Sequence, residues 1–214
     1  MTQEIIDIDV KIKLNKENVM SMLDCSSDNP VYDEVSQCYE QRLEWLYHHV
    51  KPRVLLSYEP VNDDLKEYLN PGEGCTGFLY AVLTIGGAPQ EESRRCFGQG
   101  EYLDGMLVDA MADAYLFALE NAAMPRIRKF CAGNRTGILR RMEAPQDFPL
   151  EFHKHIYEMC QLEQTMDMKL SSGCMFDPVK TSCIVFVQSA DPDLFNAQHD
   201  CSRCSVKDCP LRSI

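Results

Sequence analysis

The sequence predicts an α+β fold in which a twisted antiparallel or mixed sheet is flanked by helices. Some segments repeat apolar residues every three or four positions, as helices do, and others form short runs of β-branched and aromatic residues that are typical of strands. These segments follow one another without the regular strand–helix alternation of a doubly wound parallel sheet. With 214 residues, 45% of them hydrophobic and 25% charged, the chain can bury a substantial core.

The chain opens with a predicted strand and two predicted helices. Residues 4–14 alternate polar and apolar side chains, as a strand does, and Asn15 is suited to cap a short helix that runs to about Leu23. A second helix is predicted over 32–50 and closed by Pro52, because one of its faces carries apolar residues at helical spacing, namely Val35, Tyr39, Leu43, Leu46 and Val50.

Two β segments and a long helix are predicted in the middle of the chain. Residues 53–58 and 77–85 are rich in strand formers, and the second run is nearly continuous in apolar residues, so we expect it at the centre of the sheet. A helix should extend from about Glu101 to Phe130, broken or kinked near Pro125. Its core-facing residues are Leu103, Met106, Leu107, Ala110, Ala114, Phe117 and Ala118.

The last third of the chain predicts one helix, two strands and a tail. Asp147 is suited to cap a helix whose first turn tolerates Pro149, and strands are predicted over 166–171 and 181–188. The sequence becomes polar after about Ala190. We therefore expect one α+β domain over 1–190 and a Cys-rich, metal-binding tail over 191–214.

The net charge and the lack of long apolar runs limit the expected partners and compartment. The net charge is −12, and a body this acidic repels phosphate, so nucleic acid is not the expected partner. The N-terminal residues have no apolar run of signal-peptide length, and no stretch approaches the roughly 18 apolar residues of a membrane span. We therefore expect a cytoplasmic protein that does not enter a membrane.

Basic residues are concentrated in one short segment. Residues 125–141 contain six bases and no acid, namely Arg126, Arg128, Lys129, Arg135, Arg140 and Arg141. This segment is either a solvated helix end followed by a basic loop, or a site for an anionic group such as the carboxylate of a cofactor side chain, for which arginine supplies paired donors.

The eleven cysteines carry a functional prediction where they cluster. Cys201, Cys204 and Cys209 form a C-x2-C-x4-C pattern among polar residues, which core cysteines do not explain. In a reducing cytoplasm such a cluster indicates a metal site more than disulfides or free surface thiols. A fourth ligand must come from elsewhere: His199 would suit zinc, whereas Cys174 or Cys183 would complete an all-thiolate site suited to an iron–sulfur cluster. The scattered cysteines are expected to be core residues.

Common catalytic motifs are not found. The sequence contains no P-loop, no G-x-G-x-x-G, no G-x-S-x-G and no H-E-x-x-H pattern. Composition and spacing alone therefore lead to an α+β protein with a thiolate metal site and a basic segment.

The segment RRMEAPQDFPLE, at 140–151, resembles a signature of the activation, or reactivation, domain of cobalamin-dependent methionine synthase, R-x-S-P-G-Y-G-D-F-P-L-E. The later segment MKLSSGCMFDPVKTSCIVFV, at 168–187, is similar to the family's strand and Met-containing turn. Upstream, the segments LNKENVMSMLDC, HHVKPRVLLSYEPV, LTIGG and YLDGMLVDAMADAY resemble the family in order and spacing. The resemblance covers nearly the whole chain and includes free-standing bacterial relatives with a Cys-rich tail.

The resemblance implies a ligand and residues to hold it. Members of the family bind S-adenosylmethionine and present its methyl group to a corrinoid whose cobalt has slipped to the inactive Co(II) state. Arg140 stands where the family's arginine holds the ligand carboxylate, and Glu120 stands near a family carboxylate that meets the sulfonium or amino group. Ala144 and Pro145 replace the Gly-Tyr pair that lets the backbone approach the ligand. Arg140, Glu120 and Ala144 are thus the expected ligand-binding residues, with no catalytic residue.

Two functions follow from the resemblance. In the first, the chain is an accessory protein that assists reductive methylation of a cobalamin-dependent methyltransferase such as methionine synthase. The partner carries the cobalamin, an electron-donor protein is a possible further partner, and an iron–sulfur cluster on Cys201, Cys204, Cys209 and Cys174 relays the electron. In the second, the chain is a divergent adaptor that has lost the ligand and uses zinc to brace its tail. An independent methyltransferase is less favoured because no supported nucleophile or general base is evident.

Overall fold

The computed structural model describes residues 3–7, 12–199, 201, 202 and 209. Seven helices and seven strands are assigned within these residues. In chain order they are β1 Gln3–Asp7, α1 Lys16–Met22, α2 Tyr32–His49, β2 Arg53–Pro60, α3 Asp63–Leu69, β3 Cys75–Thr84, α4 Ala88–Gln99, α5 Tyr102–Asn134, β4 Gly137–Met142, α6 Phe152–Met159, α7 Leu162–Met166, β5 Lys169–Leu170, β6 Phe176–Asp177 and β7 Thr181–Ser189.

The main sheet confirms the predicted α+β class. It has five strands in the order β1-β2-β3-β7-β4, every neighbouring pair is antiparallel, and β5 and β6 form a separate two-stranded ladder. The predicted central segment is β3, which lies in the middle of the sheet and is buried along most of its length.

The sheet separates two hydrophobic cores. Successive residues of a strand face opposite sides, so Leu79, Ala81 and Leu83 of β3 face the first core, which α1, α2 and α5 cover. Phe78, Tyr80 and Val82 face the second core, which α3, α6 and α7 cover. Each fully buried side chain of this size contributes about 1.5–3 kcal/mol to folding.

Helix α5 continues through Pro125, where the sequence predicted a break or a kink, so the predicted break is wrong. It continues for 33 residues to Asn134, and Arg135 closes it in the left-handed conformation. Ile127, Phe130 and Cys131 beyond the proline are buried in the first core. Their burial offsets the backbone hydrogen bond that proline removes. No helix in the described part of the chain is both long enough and apolar enough to cross a membrane.

Several elements differ from the sequence predictions. The polar connection after β2 contains α3, and α4 follows β3 without having been predicted. The basic segment 125–141 is divided between the last turns of α5 and strand β4 and is not a loop. Asp147 does not cap α6, which begins at Phe152; instead its carboxylate accepts a bond from the backbone N–H of Glu143. The strand predicted over 166–171 reduces to β5, because α7 occupies the preceding residues up to Met166.

Residues 191–199, here called the C-terminal segment, lie along the outer edge of β4. The Ile138 N–H donates to the Leu194 carbonyl at 2.9 Å, and the Asn196 N–H donates to the Ile138 carbonyl at 3.0 Å. The guanidinium of Arg128 lies 3.9 Å from the centre of the Phe195 ring. The approach requires glycine at 137, because a Cβ there would lie 2.0 Å from the Asp191 carbonyl oxygen. The segment therefore covers the edge strand.

Candidate ligand-binding site

A cavity of about 530 Å³ lies where β4 ends. Strand β4 pairs with β7 only as far as Met142 opposite Val185, so the first residues of β7, Thr181, Ser182 and Cys183, lie beyond the end of this pairing, and they line the cavity. The middle of α5, the segment around α1 with Lys13, Asn15 and Asn18, and the C-terminal segment supply further parts of the wall. This volume is within the range of small-molecule sites.

A buried acid and a buried arginine face each other in the cavity wall. Arg141 donates through a terminal nitrogen to Glu120 Oε2 at 2.7 Å, and Ser182 Oγ donates to Glu120 Oε1 at 2.6 Å. The side chains of Arg141 and Glu120 are only 9% and 11% exposed. Burial alone would lower the pKa of Arg141, but Glu120 and Glu143 outweigh that effect and raise it, so the guanidinium is charged.

The loop after β4 adds a second carboxylate. Arg141 Nε forms a short hydrogen bond to Glu143 Oε1, and His199 Nδ1 of the C-terminal segment lies 3.4 Å from the same oxygen. The loop is closed by reciprocal bonds, from the Glu143 N–H to the Asp147 carboxylate at 3.0 Å and from the Asp147 N–H to the Glu143 carbonyl at 2.8 Å. Arg141 is therefore held between two carboxylates.

The structure brings Glu120 and Ala144 to the cavity but not Arg140. Ile138 of β4 faces the first core, and strict alternation would place Arg140 on that same face. The pairing with β7 shifts register between Ile138 and Arg140, which indicates a β-bulge. After the bulge Arg141 lies on the face of Glu120, opposite Phe186, whereas Arg140 lies on the other face, opposite Val187.

Arg140 is engaged on the side of the second core. A terminal nitrogen of Arg140 donates to the Asn70 carbonyl at 2.8 Å and lies 3.5 Å from Met142 Sδ. Its buried Nε has no hydrogen-bond partner among the described residues. The sheet thus separates Arg140 from Glu120, with which the sequence had associated it.

His153 is a cavity residue that the sequence analysis did not select. Its Nδ1 lies 2.9 Å from the Cys174 carbonyl oxygen, which can only accept, so Nδ1 carries the proton of the neutral ring. Burial lowers the pKa of His153, although the bond to the carbonyl opposes this in part. The ring is therefore neutral at pH 7 and its Nε2 is an acceptor.

The predicted metal ligands are only partly brought together. Cys201 and Cys209 line the cavity, as does Cys183, whereas Cys174 is buried outside its lining. Burial, Cys160 and Glu143 all raise the pKa of the Cys183 thiol well above its ordinary value. Cys204 lies outside the described residues. Within the residues that are described, no three His, Cys, Asp or Glu side chains are placed to hold a metal ion.

The cavity also has an apolar rim, formed by Phe117, Met175 and Val179. Each of these side chains lines the cavity and is about half exposed. Lys180 ties this rim to α5, because its ammonium lies 2.9 Å from Asp109 and 2.8 Å from Asp113. Apolar side chains held exposed around an opening are typical of a surface that meets another molecule.

Comparison with solved structures identifies the fold. The chain is similar to a crystal structure of the MetH reactivation domain bound to AdoHcy, with a TM-score of 0.65 and 12% sequence identity. The similarity covers 90% of this chain and 79% of that one. Comparison of the sequence with protein-family models and with curated proteins finds no match. The chain therefore has the fold of the MetH reactivation domain, as the sequence resemblance predicted.

Proposed function

We propose that this chain binds an S-adenosylmethionine-type ligand in the cavity and assists the reactivation of a cobalamin-dependent methyltransferase such as methionine synthase. The observation that carries the proposal is a cavity of about 530 Å³ with a buried acid in its wall, in a fold whose solved neighbour is bound to AdoHcy. AdoHcy is S-adenosylmethionine without its methyl group, so a cavity that fits one of these two ligands should fit the other.

The residues of the cavity fit such a ligand. Phe117, Met124 and Leu150 supply apolar surface for an adenosine group, and Asn18 and Asn121 supply amide donors and acceptors for its polar edge. Glu120 and Glu143 place two carboxylates in the wall against the single guanidinium of Arg141. The local excess of negative charge favours a ligand that carries a sulfonium or ammonium group.

The apolar rim fits the second component, a corrinoid carried by a partner protein. Transfer of the methyl group from S-adenosylmethionine, which would leave AdoHcy in the cavity, would require direct contact between the bound ligand and the corrinoid with water excluded. Phe117, Met175 and Val179 surround the cavity and can exclude water when a flat, largely apolar surface covers it. Lys180, bound to Asp109 and Asp113, keeps Val179 in position.

Isothermal titration of the full chain with S-adenosylmethionine and with AdoHcy tests the ligand. Ala118 lines the cavity on α5, so Ala118→Trp should fill the space and weaken both ligands at least about tenfold. Ala132 is exposed on the same helix, and Ala132→Trp is the matched control that should bind like the parent chain. A parent chain that binds neither ligand, or a filled cavity that binds as well as the open one, contradicts the proposal.

The proposal includes a metal at the tail thiols, as an iron–sulfur cluster that relays an electron or as zinc. Cys183 is favoured over Cys174 as the ligand from the body of the chain, because it lines the same cavity as Cys201 and Cys209. Protein purified without oxygen should contain iron and acid-labile sulfide, or zinc, and Cys183→Ser should lower the metal content while Cys174→Ser does not. Equal metal content in all three proteins contradicts this assignment.

The adaptor function remains the second candidate, and a specific observation favours it. Arg140 lies outside the cavity, and Ala144 precedes proline where the family has Gly-Tyr, so two features of the family's ligand site are changed. An adaptor would bind neither nucleoside but would still require the apolar rim for docking. Absence of binding in the titration above therefore selects the adaptor.

A further inference from the structure

The cavity has few cations available to a negatively charged group. Of the described residues that line it, two carry a lysine or arginine charge, Lys13 and Arg141. Arg141 already donates to Glu120 and to Glu143. A third carboxylate at this guanidinium would meet the repulsion of the two carboxylates already there. Arg141 therefore organises the wall and is not free to bind an acidic ligand group.

The two imidazoles among the described lining residues are both engaged by other groups of the chain. His153 is buried and neutral, and its N–H is committed to the Cys174 carbonyl at 2.9 Å. His199 turns its Nδ1 toward Glu143 at 3.4 Å. Both rings are thus directed at groups of the chain itself.

Lys13 is an exposed residue of the cavity wall, and the residues on either side of it are anchored. Its neighbours Ile12 and Leu14 are buried in the first core, and the Leu14 N–H donates to the Tyr47 hydroxyl at 3.1 Å. The Asn15 side chain then caps α1 by accepting from the Glu17 N–H at 2.9 Å. Because Ile12 and Leu14 fix the backbone on either side, Lys13 is left exposed and directed to the cavity.

Lys13 differs from the next lysine in the chain. Lys16 Nζ lies 2.7 Å from Glu40 Oε1, whereas Lys13 forms no ion pair with another described residue. The Lys13 ammonium is therefore the positively charged group of the described cavity lining that is best placed to bind a ligand carboxylate.

We propose that Lys13 binds the carboxylate of the ligand, in place of the arginine at position 140. This inference rests on the proposed function, since it assumes a ligand with an amino-acid end. Lys13 and the acids Glu120 and Glu143 line the same cavity, and together they complement a ligand that carries both a carboxylate and a cationic sulfonium or amino group. The site therefore selects a zwitterionic ligand over one that lacks the carboxylate.

The test compares S-adenosylmethionine with its decarboxylated analogue by isothermal titration of the full chain at low salt. Lys13→Gln should raise the Kd for S-adenosylmethionine about fivefold and leave the Kd for the decarboxylated analogue within about twofold. Lys13→Arg should retain the preference. Lys16→Gln and Arg140→Gln are the matched controls and should bind both ligands like the parent chain.

The outcomes distinguish failure of the Lys13 assignment from failure of the proposed function. If the parent chain binds and Lys13→Gln weakens neither ligand, or weakens both equally, Lys13 does not bind the carboxylate and only this inference fails. Selective loss of S-adenosylmethionine binding in Arg140→Gln likewise overturns it. If the parent chain binds neither ligand, the proposed function fails and this inference fails with it.

Discussion

The two faces of strand β4 carry two adjacent arginines with different surroundings. Arg141 lies on the α5 face, buried between Glu120 and Glu143 beside the cavity. Arg140 lies on the opposite face, next to Asn70 and the second core. One β-bulge separates these environments, because the extra residue in β4 reverses the faces of everything that follows it. Two adjacent residues of the same type can therefore have unrelated roles, because the register of the strand decides which of them faces the cavity.

The largest expected effect comes from breaking the buried pair on the α5 face. Arg141→Gln leaves Glu120 and Glu143 without their cation, and removal of one partner from a buried ion pair costs about 3–5 kcal/mol. Arg140→Gln removes one hydrogen bond to a backbone carbonyl and should cost about 1 kcal/mol. Urea unfolding of both variants measures the difference; equal losses would mean that the two faces are energetically alike.

A smaller effect is expected where the C-terminal segment meets β4. Gly137→Ala places a Cβ 2.0 Å from the Asp191 carbonyl oxygen, and such overpacking costs about 1–3 kcal/mol. Hydrogen exchange should then be faster at the Ile138 and Asn196 amides, which bond across this contact. Gly133→Ala is the control, because a Cβ there meets nothing within 4 Å. Unchanged exchange in Gly137→Ala would show that the segment does not depend on this close approach.

The smallest effect concerns His153 and pH. Burial lowers its pKa in the folded chain, so the unfolded chain binds the proton more readily. Above the unfolded-state pKa of about 6.5 the His153 ring is neutral in both states and does not affect the free energy of unfolding. As the pH drops below 6.5 and through the lowered pKa of the folded state, the free energy of unfolding should fall. His153→Gln should remove this loss, which urea unfolding between pH 7.5 and about 5 measures. His48→Gln, at an exposed site on α2, controls for loss of an imidazole; an identical pH profile for the parent chain and His153→Gln would contradict the assignment.

The sequence predicted the fold class and part of the site, for reasons that the residues make clear. The apolar run of β3 and the helical spacing in α2 and α5 are strong local signals, and these three elements were confirmed. The predicted core face of α5 was wrong at Met106 and Phe117, which are about half exposed. Strand β4 was missed because its arginines hide the apolar alternation, and α5 passed Pro125 because tertiary burial exceeds local propensity. Glu120 and Ala144 were placed at the cavity by motif position alone.

Glu143, His153 and Lys13 could not be selected from the sequence, and Arg141 was only one of six bases in a segment predicted as a possible anion site. A bulge leaves no reliable signature in one sequence, so nothing distinguished Arg141 from Arg140. Lys13 and His153 are more than a hundred residues apart in the chain and meet the same cavity only through the tertiary fold. The sequence does show two adjacent arginines, Arg140 and Arg141, and this pair indicates that either residue could face the ligand site.

A crystal structure of the full chain grown with AdoHcy would show directly which face of β4 binds the ligand. We expect ligand density in the cavity on the α5 face, with the ammonium group of AdoHcy toward Glu120 and the carboxylate on the same carbon toward Lys13. Density on the opposite face against Arg140, or no density in crystals grown with saturating AdoHcy, would contradict it.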